Sequence, residues 1–211
     1  MGYSTAWFTT TFTTIMSLAE LSEYRLILGS KSPRRHELLK GLGLNFEIRP
    51  KDVDESFPAS YKEHEIPEYL ALKKAEAYQN ELGDKDVVIT SDTVVWLGDG
   101  VFNKPESRDE AIQMITSLSG RSHEVISAVC ILNSAKHTVF HDRTKVFFGE
   151  ISQPEIAWYV DKYEPFDKAG AYGIQEWIGY VGIEKIEGSF YNVMGFPTRM
   201  FYVELRKFLN L

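Results

Sequence analysis

From residue 24 onward, apolar positions fall into short runs and spaced stripes. Residues 24–28 form a short apolar run that stops at Gly29 and Ser30, and Ser32 and Pro33 then read as the N-cap and first residue of a helix. The pattern predicts strand, turn, helix. That helix carries Leu38, Leu39 and Leu42 inward and ends at Gly41 or Gly43. Residues 45–49 read as a second strand, followed by an acidic loop with Asp52, Asp54 and Glu55. Over 67–82, Leu70, Ala71, Ala75 and Tyr78 share one helical face, with Lys73 and Lys74 near its edge. Residues 87–97 are β-branched and strand-like, and Gly98, Asp99 and Gly100 supply a turn.

Ser107 with Glu110 has the spacing of a capping box, opening a helix that runs to Leu118 and closes at Ser119 and Gly120. Residues 124–132 and 138–148 alternate as two strands joined through Asn133 and Ser134. A second capping box, Ser152 with Glu155, opens a helix ending near Lys162. A glycine-rich stretch from Asp167 to Gly182, a strand near 182–186 and a terminal helix from Thr198 complete the chain. Helices alternate with strands, and hairpins enter in the second half. This predicts an α/β protein with a mixed sheet flanked by helices, without internal repeats.

At 211 residues, 44% hydrophobic and 25% charged, the chain has the composition of a folded domain. Residues 1–23 read as an N-terminal extension, tag-derived or poorly ordered, and residues 24–211 as one domain. The net charge of −7 disfavours a broad basic face for nucleic acid, so a small phosphorylated ligand would need local cations and a divalent metal. A single cysteine, Cys130, lies in an apolar alternating run as an inert buried thiol. The absence of a basic n-region before Arg25 and of any long apolar run points to a cytoplasmic protein with no membrane partner.

Three places carry candidate chemistry. In the turn from Gly29 to Arg35, small residues Ser30 and Ser32 and exposed amides meet a helix N-terminus, yet Arg34 and Arg35 occupy its first turn, where the helix dipole disfavours cations. A bound anion would compensate. Ser91, Asp92 and Thr93 interrupt an apolar strand, and a buried strand tolerates an aspartate chiefly where it is paired, metal-bound or functional. Lys74 and Lys104, the latter directly before Pro105, can join Asp92 in one cleft, the set that holds a metal-bound triphosphate. Glu55 closes the acidic loop and is assigned to metal support beside Asp92. The run from Asp167 and Lys168 to Gln175 crowds charges and an amide among residues too small to fill a core, which suits a binding loop. The Gln175 amide can read a base edge, and Trp177 stands near it. His137 and His141 share a strand face without a third ligand.

Taken together, the run from Ser30 to Arg35, the triplet Ser91 to Thr93, Lys104 with Pro105, and the run from Asp167 to Gln175 resemble the Maf family of nucleotide pyrophosphatases. Leu118, Ser119, Gly120, His123 and Val125 agree, as do Ile186, Gly188, Ser189, Asn192, Val193, Gly195 and Pro197. Ser127 and Phe196 depart from the usual threonine and leucine. The resemblance implies an elongated fold of inosine triphosphatase type, two lobes with a cleft between them, and a homodimer. It implies hydrolysis between the α- and β-phosphates of nucleoside triphosphates with Mg2+ or Mn2+. By resemblance, Asp92 is the acid/base, and Arg34, Thr93 and Gln175 choose the base, in the combination of the branch acting on dTTP and UTP. A purine-directed or 7-methyl-GTP enzyme and a nucleotide-binding division regulator are the alternatives.

Overall fold

A computed structural model describes residues 20–211. The expected extension therefore lies outside the described residues except for its last four. Of these, Leu21–Glu23 form a 3-10 turn whose Leu21 is buried in the core, so ordered packing begins slightly before residue 24.

The elements are β1 (Arg25–Leu28), α1 (Pro33–Gly41), β2 (Phe46–Ile48), α2 (Glu65–Glu76), β3 (Asp86–Leu97) and β4 (Gly100–Phe102). They continue with α3 (Arg108–Leu118), β5 (Ser122–Leu132), β6 (His137–Phe148), α4 (Gln153–Tyr163), α5 (Trp177–Gly182), β7 (Ile183–Glu187), α6 (Phe190–Val193) and α7 (Thr198–Leu209). One seven-stranded sheet runs β2-β1-β3-β5-β6-β7, with β4 paired to β3. β1 is parallel to β2 and β3, and every other pairing is antiparallel. This is the mixed α/β sheet that the pattern predicts.

Alternation along the strands decides which face each helix covers. Leu26, Leu28, Val87, Ile89, Val129 and Ile131 pack with Leu38 and Leu39 of α1 and with Phe201, Leu205 and Phe208 of α7. Ile27, Val88, Ala128 and Cys130 face the other way, under Ala71 and Ala75 of α2 and Tyr78. At the far end, Val95, Val125, Val146 and Phe148 meet α3, α4 and α5 through Ile115, Leu118, Ile156 and Ile178. Side chains such as Ile27, Leu39 and Ile115 are wholly buried and contribute about 1.5–3 kcal/mol each, against roughly 0–1 for a surface ion pair such as Lys31–Asp52. Cys130 is buried as expected, its thiol pushed up to about 12 by burial, with the charge of Glu76 acting the same way.

Several boundaries shift for local reasons. The helix expected over 67–82 begins earlier, with Pro67 in its first turn where a missing N–H costs nothing, and stops at Glu76. Beyond it Tyr78 turns inward to donate to the Arg49 carbonyl, and a 3-10 turn follows at Gln79–Glu81. The turn at residues 98–100 opens the short strand β4. Ser107 caps α3 by accepting from the Glu110 N–H, but the Glu110 carboxylate reaches Glu106 N rather than Ser107 N, so the box closes one residue early. The Ser152–Glu155 box is complete.

Most consequential is a gap in the ladder of β3. Along one edge β5 pairs continuously from Val88 to Trp96. Along the other, β1 stops at Ile89 and β4 begins only at Val95. Ser91, Asp92 and Thr93 sit in the gap, within β3 and just past the carboxyl ends of its parallel neighbours β1 and β2, the side on which ligands characteristically bind.

Candidate active site

β1 ends because Gly29 must pass close to its neighbours. Its N–H donates to the Ile89 carbonyl, and a Cβ there would lie 2.9 Å from both Thr90 Cγ2 and Tyr78 Oη. The chain then turns through Ser30, whose carbonyl accepts from His36 Nε2 at 2.8 Å and whose Oγ accepts from the Ser32 N–H at 3.2 Å. Ser32 is the N-cap residue of α1 as expected, but its hydroxyl makes no cap hydrogen bond. Both serines line a cavity of about 390 Å³ that opens over the gap in β3.

The same cavity is lined by Arg34, Arg35, Glu55, Lys74, Asp92, Thr93, Lys104, Asp167, Lys168 and Gln175. Every residue singled out from the sequence for substrate, metal or base recognition thus faces one volume, although they come from six separate segments. Trp177 does not join them: it packs on Trp158, ring centroids 4.9 Å apart. His141 lies elsewhere, bonded to Glu68 at 2.8 Å and stacked on His64.

The two arginines have different tasks. Arg35 reaches into the ladder gap, donating to the Ser91 carbonyl at 2.8 Å, the Gly195 carbonyl at 2.9 Å and Thr93 Oγ1 at 3.2 Å. Desolvation lowers it to about 10, with the charge of Arg34 adding and that of Asp92 opposing. It replaces the missing strand partner and ties α1 to β3, a structural role that its place in the motif does not disclose. Arg34 donates to the Asp167 carboxylate at 2.6 Å and to the Met194 carbonyl at 3.3 Å. Thr93 Oγ1 is 2.9 Å from Ser127 Oγ, which donates to the Asn192 carbonyl, and Asn192 Nδ2 in turn reaches Val125 O and Thr144 Oγ1 at 3.0 Å each. This buried chain fixes the floor.

On the opposite wall, Lys74 Nζ from α2 stands 2.6 Å from Asp92 Oδ1 and 2.9 Å from Glu55 Oε1, and Lys104 approaches Glu55 at 3.7 Å. Burial works to raise the Glu55 carboxyl, yet Lys74, with Lys104 and Arg35 behind it, holds it below its ordinary value. Among the described residues no group of three or more His, Cys, Asp or Glu side chains converges as a metal cage. Asp167 behaves like Glu55: burial raises it, and hydrogen bonds from Lys168 and Arg34 more than offset this.

The third wall is the loop that carries Gln175. Gly170, at φ 71°, and Ala171, at φ 61°, take the left-handed conformation, and the Gly170 N–H donates to the Asn103 carbonyl. Gln175 Oε1 is buried and has no hydrogen-bond partner among the described residues, which suits an acceptor left for a ligand donor. Behind the loop, His123 is hydrogen-bonded to the Tyr172 hydroxyl at 2.7 Å, and burial lowers His123 to about 4. Because the imidazole titrates near 6.5 when exposed, the unfolded chain takes up this proton first as pH falls. Stability from this site is whole above pH 6.5 and falls as pH drops toward 4, by on the order of 3 kcal/mol. Thermal melts from pH 7.5 to 4 should show this slope in the wild type and a shallower one in His123→Gln; equal slopes would contradict it.

A family model described as Maf-like protein matches residues 25–208. The chain is 50% identical over 192 residues to a dTTP/UTP pyrophosphatase of Parabacteroides distasonis, covering 90% of this chain and 100% of that one. It is 49% identical over 191 residues to the protein of that name from Bacteroides thetaiotaomicron, covering 90% and 99%. Among solved structures, the Ham1 protein of Staphylococcus aureus matches at 14% identity and a TM-score of 0.43, over 59% of this chain and 71% of that one. With matched motifs that line one cavity and a family match spanning nearly all the described residues, the chain belongs to the Maf-like protein family.

Proposed function

We propose that this protein hydrolyses dTTP and UTP to the nucleoside monophosphate and pyrophosphate. The observation that carries the reading is the division of one cavity into a phosphate side of cations around Asp92 and a base side headed by the unpartnered Gln175 Oε1. The relatives named as dTTP/UTP pyrophosphatases support the same choice.

Asp92, anchored on β3 and held through Oδ1 by Lys74, takes a proton from water that attacks the α-phosphorus in line with departing pyrophosphate. The bond from the α-phosphorus to the bridging oxygen breaks as the new P–O bond forms, and pyrophosphate leaves with the electron pair. Lys74 and Lys104 face the developing charge, with Ser30 and Ser32 beside them, while Arg34, tied to Asp167, stands with Thr93 and Gln175 toward the base. Glu55 and Asp92 are hard oxygen donors reaching a common ammonium, so they suit Mg2+ or Mn2+, which such sites bind through one or two carboxylates plus phosphate oxygens. The ion supplies charge neutralisation at the phosphates when bound. On the base side, thymine and uracil offer an imide N–H that Gln175 Oε1 can accept, whereas cytosine presents a bare ring nitrogen at that position.

A nucleotide panel tests this. Release of pyrophosphate and monophosphate from dTTP, UTP, CTP, GTP, ITP and 7-methyl-GTP, with and without Mg2+, should be metal-dependent and confined largely to dTTP and UTP. Release from a purine nucleotide alone would overturn the base assignment, and saturable binding without release from any would favour a nucleotide sensor.

A further inference from the structure

The base side of the cavity is organised by a carboxylate that does not line it. Glu176 follows Gln175 directly, and its side chain is 17% exposed. One oxygen, Oε1, lies 3.1 Å from Lys168 Nζ, and the other accepts from the Tyr159 hydroxyl of α4. That hydroxyl also accepts the Gly173 N–H at 3.0 Å. Burial, reinforced by the bond to Glu176, pushes the Tyr159 phenol up, so it stays protonated as the donor. Glu176 therefore closes the loop on itself, joining Lys168 near its start to Gly173 in its middle through the Tyr159 hydroxyl of α4.

Both ends of the loop bear on the base side. Lys168 Nζ is also 2.8 Å from Asp167 Oδ1, and Asp167 Oδ2 holds Arg34 at 2.6 Å. At the other end, the Glu176 carboxylate folds back over Gly173, where an added Cβ would lie 2.8 Å from Glu176 Cδ and 3.1 Å from Gln175 Nε2. The glycine leaves room for this fold-back, and any displacement of the carboxylate loosens the packing beside the Gln175 amide. A chain of contacts thus runs from Arg34 through Asp167, Lys168 and Glu176 to the main chain that presents Gln175. Lys168 is 8% exposed with a carboxylate on each side, so its charge serves this chain before it serves a phosphate.

We infer that Glu176 is a specificity-determining positioning residue, which sets Gln175 relative to Arg34 and so governs discrimination among pyrimidine bases without touching the substrate. The inference rests on the nucleotide reading above. A displacement of the amide costs the hydrogen bond that a matching base makes and relieves the penalty on a mismatched one.

The test measures kcat and KM for UTP and CTP in the wild type, Glu176→Ala, Glu176→Gln and Tyr159→Phe, with melting temperatures alongside. In Glu176→Ala the UTP:CTP ratio of kcat/KM should fall by about tenfold or more, through a raised KM for UTP with kcat within about threefold. Glu176→Gln, which keeps an acceptor for Tyr159, should restore part of the ratio. Tyr159→Phe, which keeps the ring packing and removes the donor, should lower it. Ratios unchanged within about twofold in Glu176→Ala and Tyr159→Phe, with only melting temperature moving, would overturn the inference by making the network merely structural. Failure of the wild type to cleave UTP or dTTP would instead overturn the functional reading beneath it.

Discussion

Replacing Asp92 with asparagine should lower kcat for dTTP by about 10²–10⁴-fold, the usual contribution of a positioned general base, while nucleotide affinity changes only a few-fold. The amide matches the carboxylate in shape, so the β3 backbone and the ladder gap persist. What disappears is the proton acceptor and the charge that faces Lys74 at 2.6 Å. Pyrophosphate release under saturating substrate, paired with calorimetric binding of a non-hydrolysable dTTP analogue, separates the two effects. Near-normal turnover would remove Asp92 from the role of base, and loss of binding with unchanged kcat would reassign it to substrate retention.

The second large effect has opposite signs in two assays. Lys74 is shared by Glu55 and Asp92, so in the free protein its ammonium neutralises the two carboxylates that suit a cation. On the proposed reading, Glu55 and Asp92 would hold a divalent ion and the Lys74 ammonium they share would turn to phosphate oxygens, so the lysine and the ion compete for the same two carboxylates. Lys74→Met should therefore bind Mn2+ about tenfold more tightly in the absence of nucleotide, because no internal cation competes. The same variant should lose about 10²-fold or more in kcat/KM, because the phosphate side loses a half-buried charge. Titration calorimetry with Mn2+ alone reads the first and steady-state kinetics the second. Weaker or unchanged Mn2+ binding in the variant would contradict the competition.

The sheet is legible because strand and helix patterns are local properties: β3 shows as a β-branched run, and β5 and β6 as long alternating ones. Several cavity residues are legible because they break a local rule: arginines at a helix N-terminus, an aspartate within a buried strand, charges among glycines. Residues that obey the rules stayed hidden. Tyr159 reads as an ordinary apolar position of an amphipathic helix, and nothing in its spacing announces that its hydroxyl meets Glu176. Arg35 looks like a twin of Arg34, and only the gap between β1 and β4 makes it a surrogate strand partner. The carbonyls of Ser91, Met194 and Gly195 that fix the arginines are main-chain groups, on which side-chain identity has no direct bearing. Lys168 reads from the sequence as one charge of a binding loop built from small residues, and its two carboxylate partners become visible only in three dimensions.

Arg34 and Arg35 are set near the beginning of the folded chain, yet the carbonyls that aim them belong to Met194 and Gly195, a separation of 160 residues in each case. During synthesis the β5–β6 hairpin can close early, because its partners are neighbours in sequence, while the catalytic cleft must await the arrival of the segment just before α7. Enzymatic competence is consequently a late event in the life of each molecule. A chain released before residue 195 has every strand of the sheet but lacks the Gly195 carbonyl that holds Arg35 and the whole of α7 that covers one face, so premature termination yields silent protein rather than an unselective hydrolase.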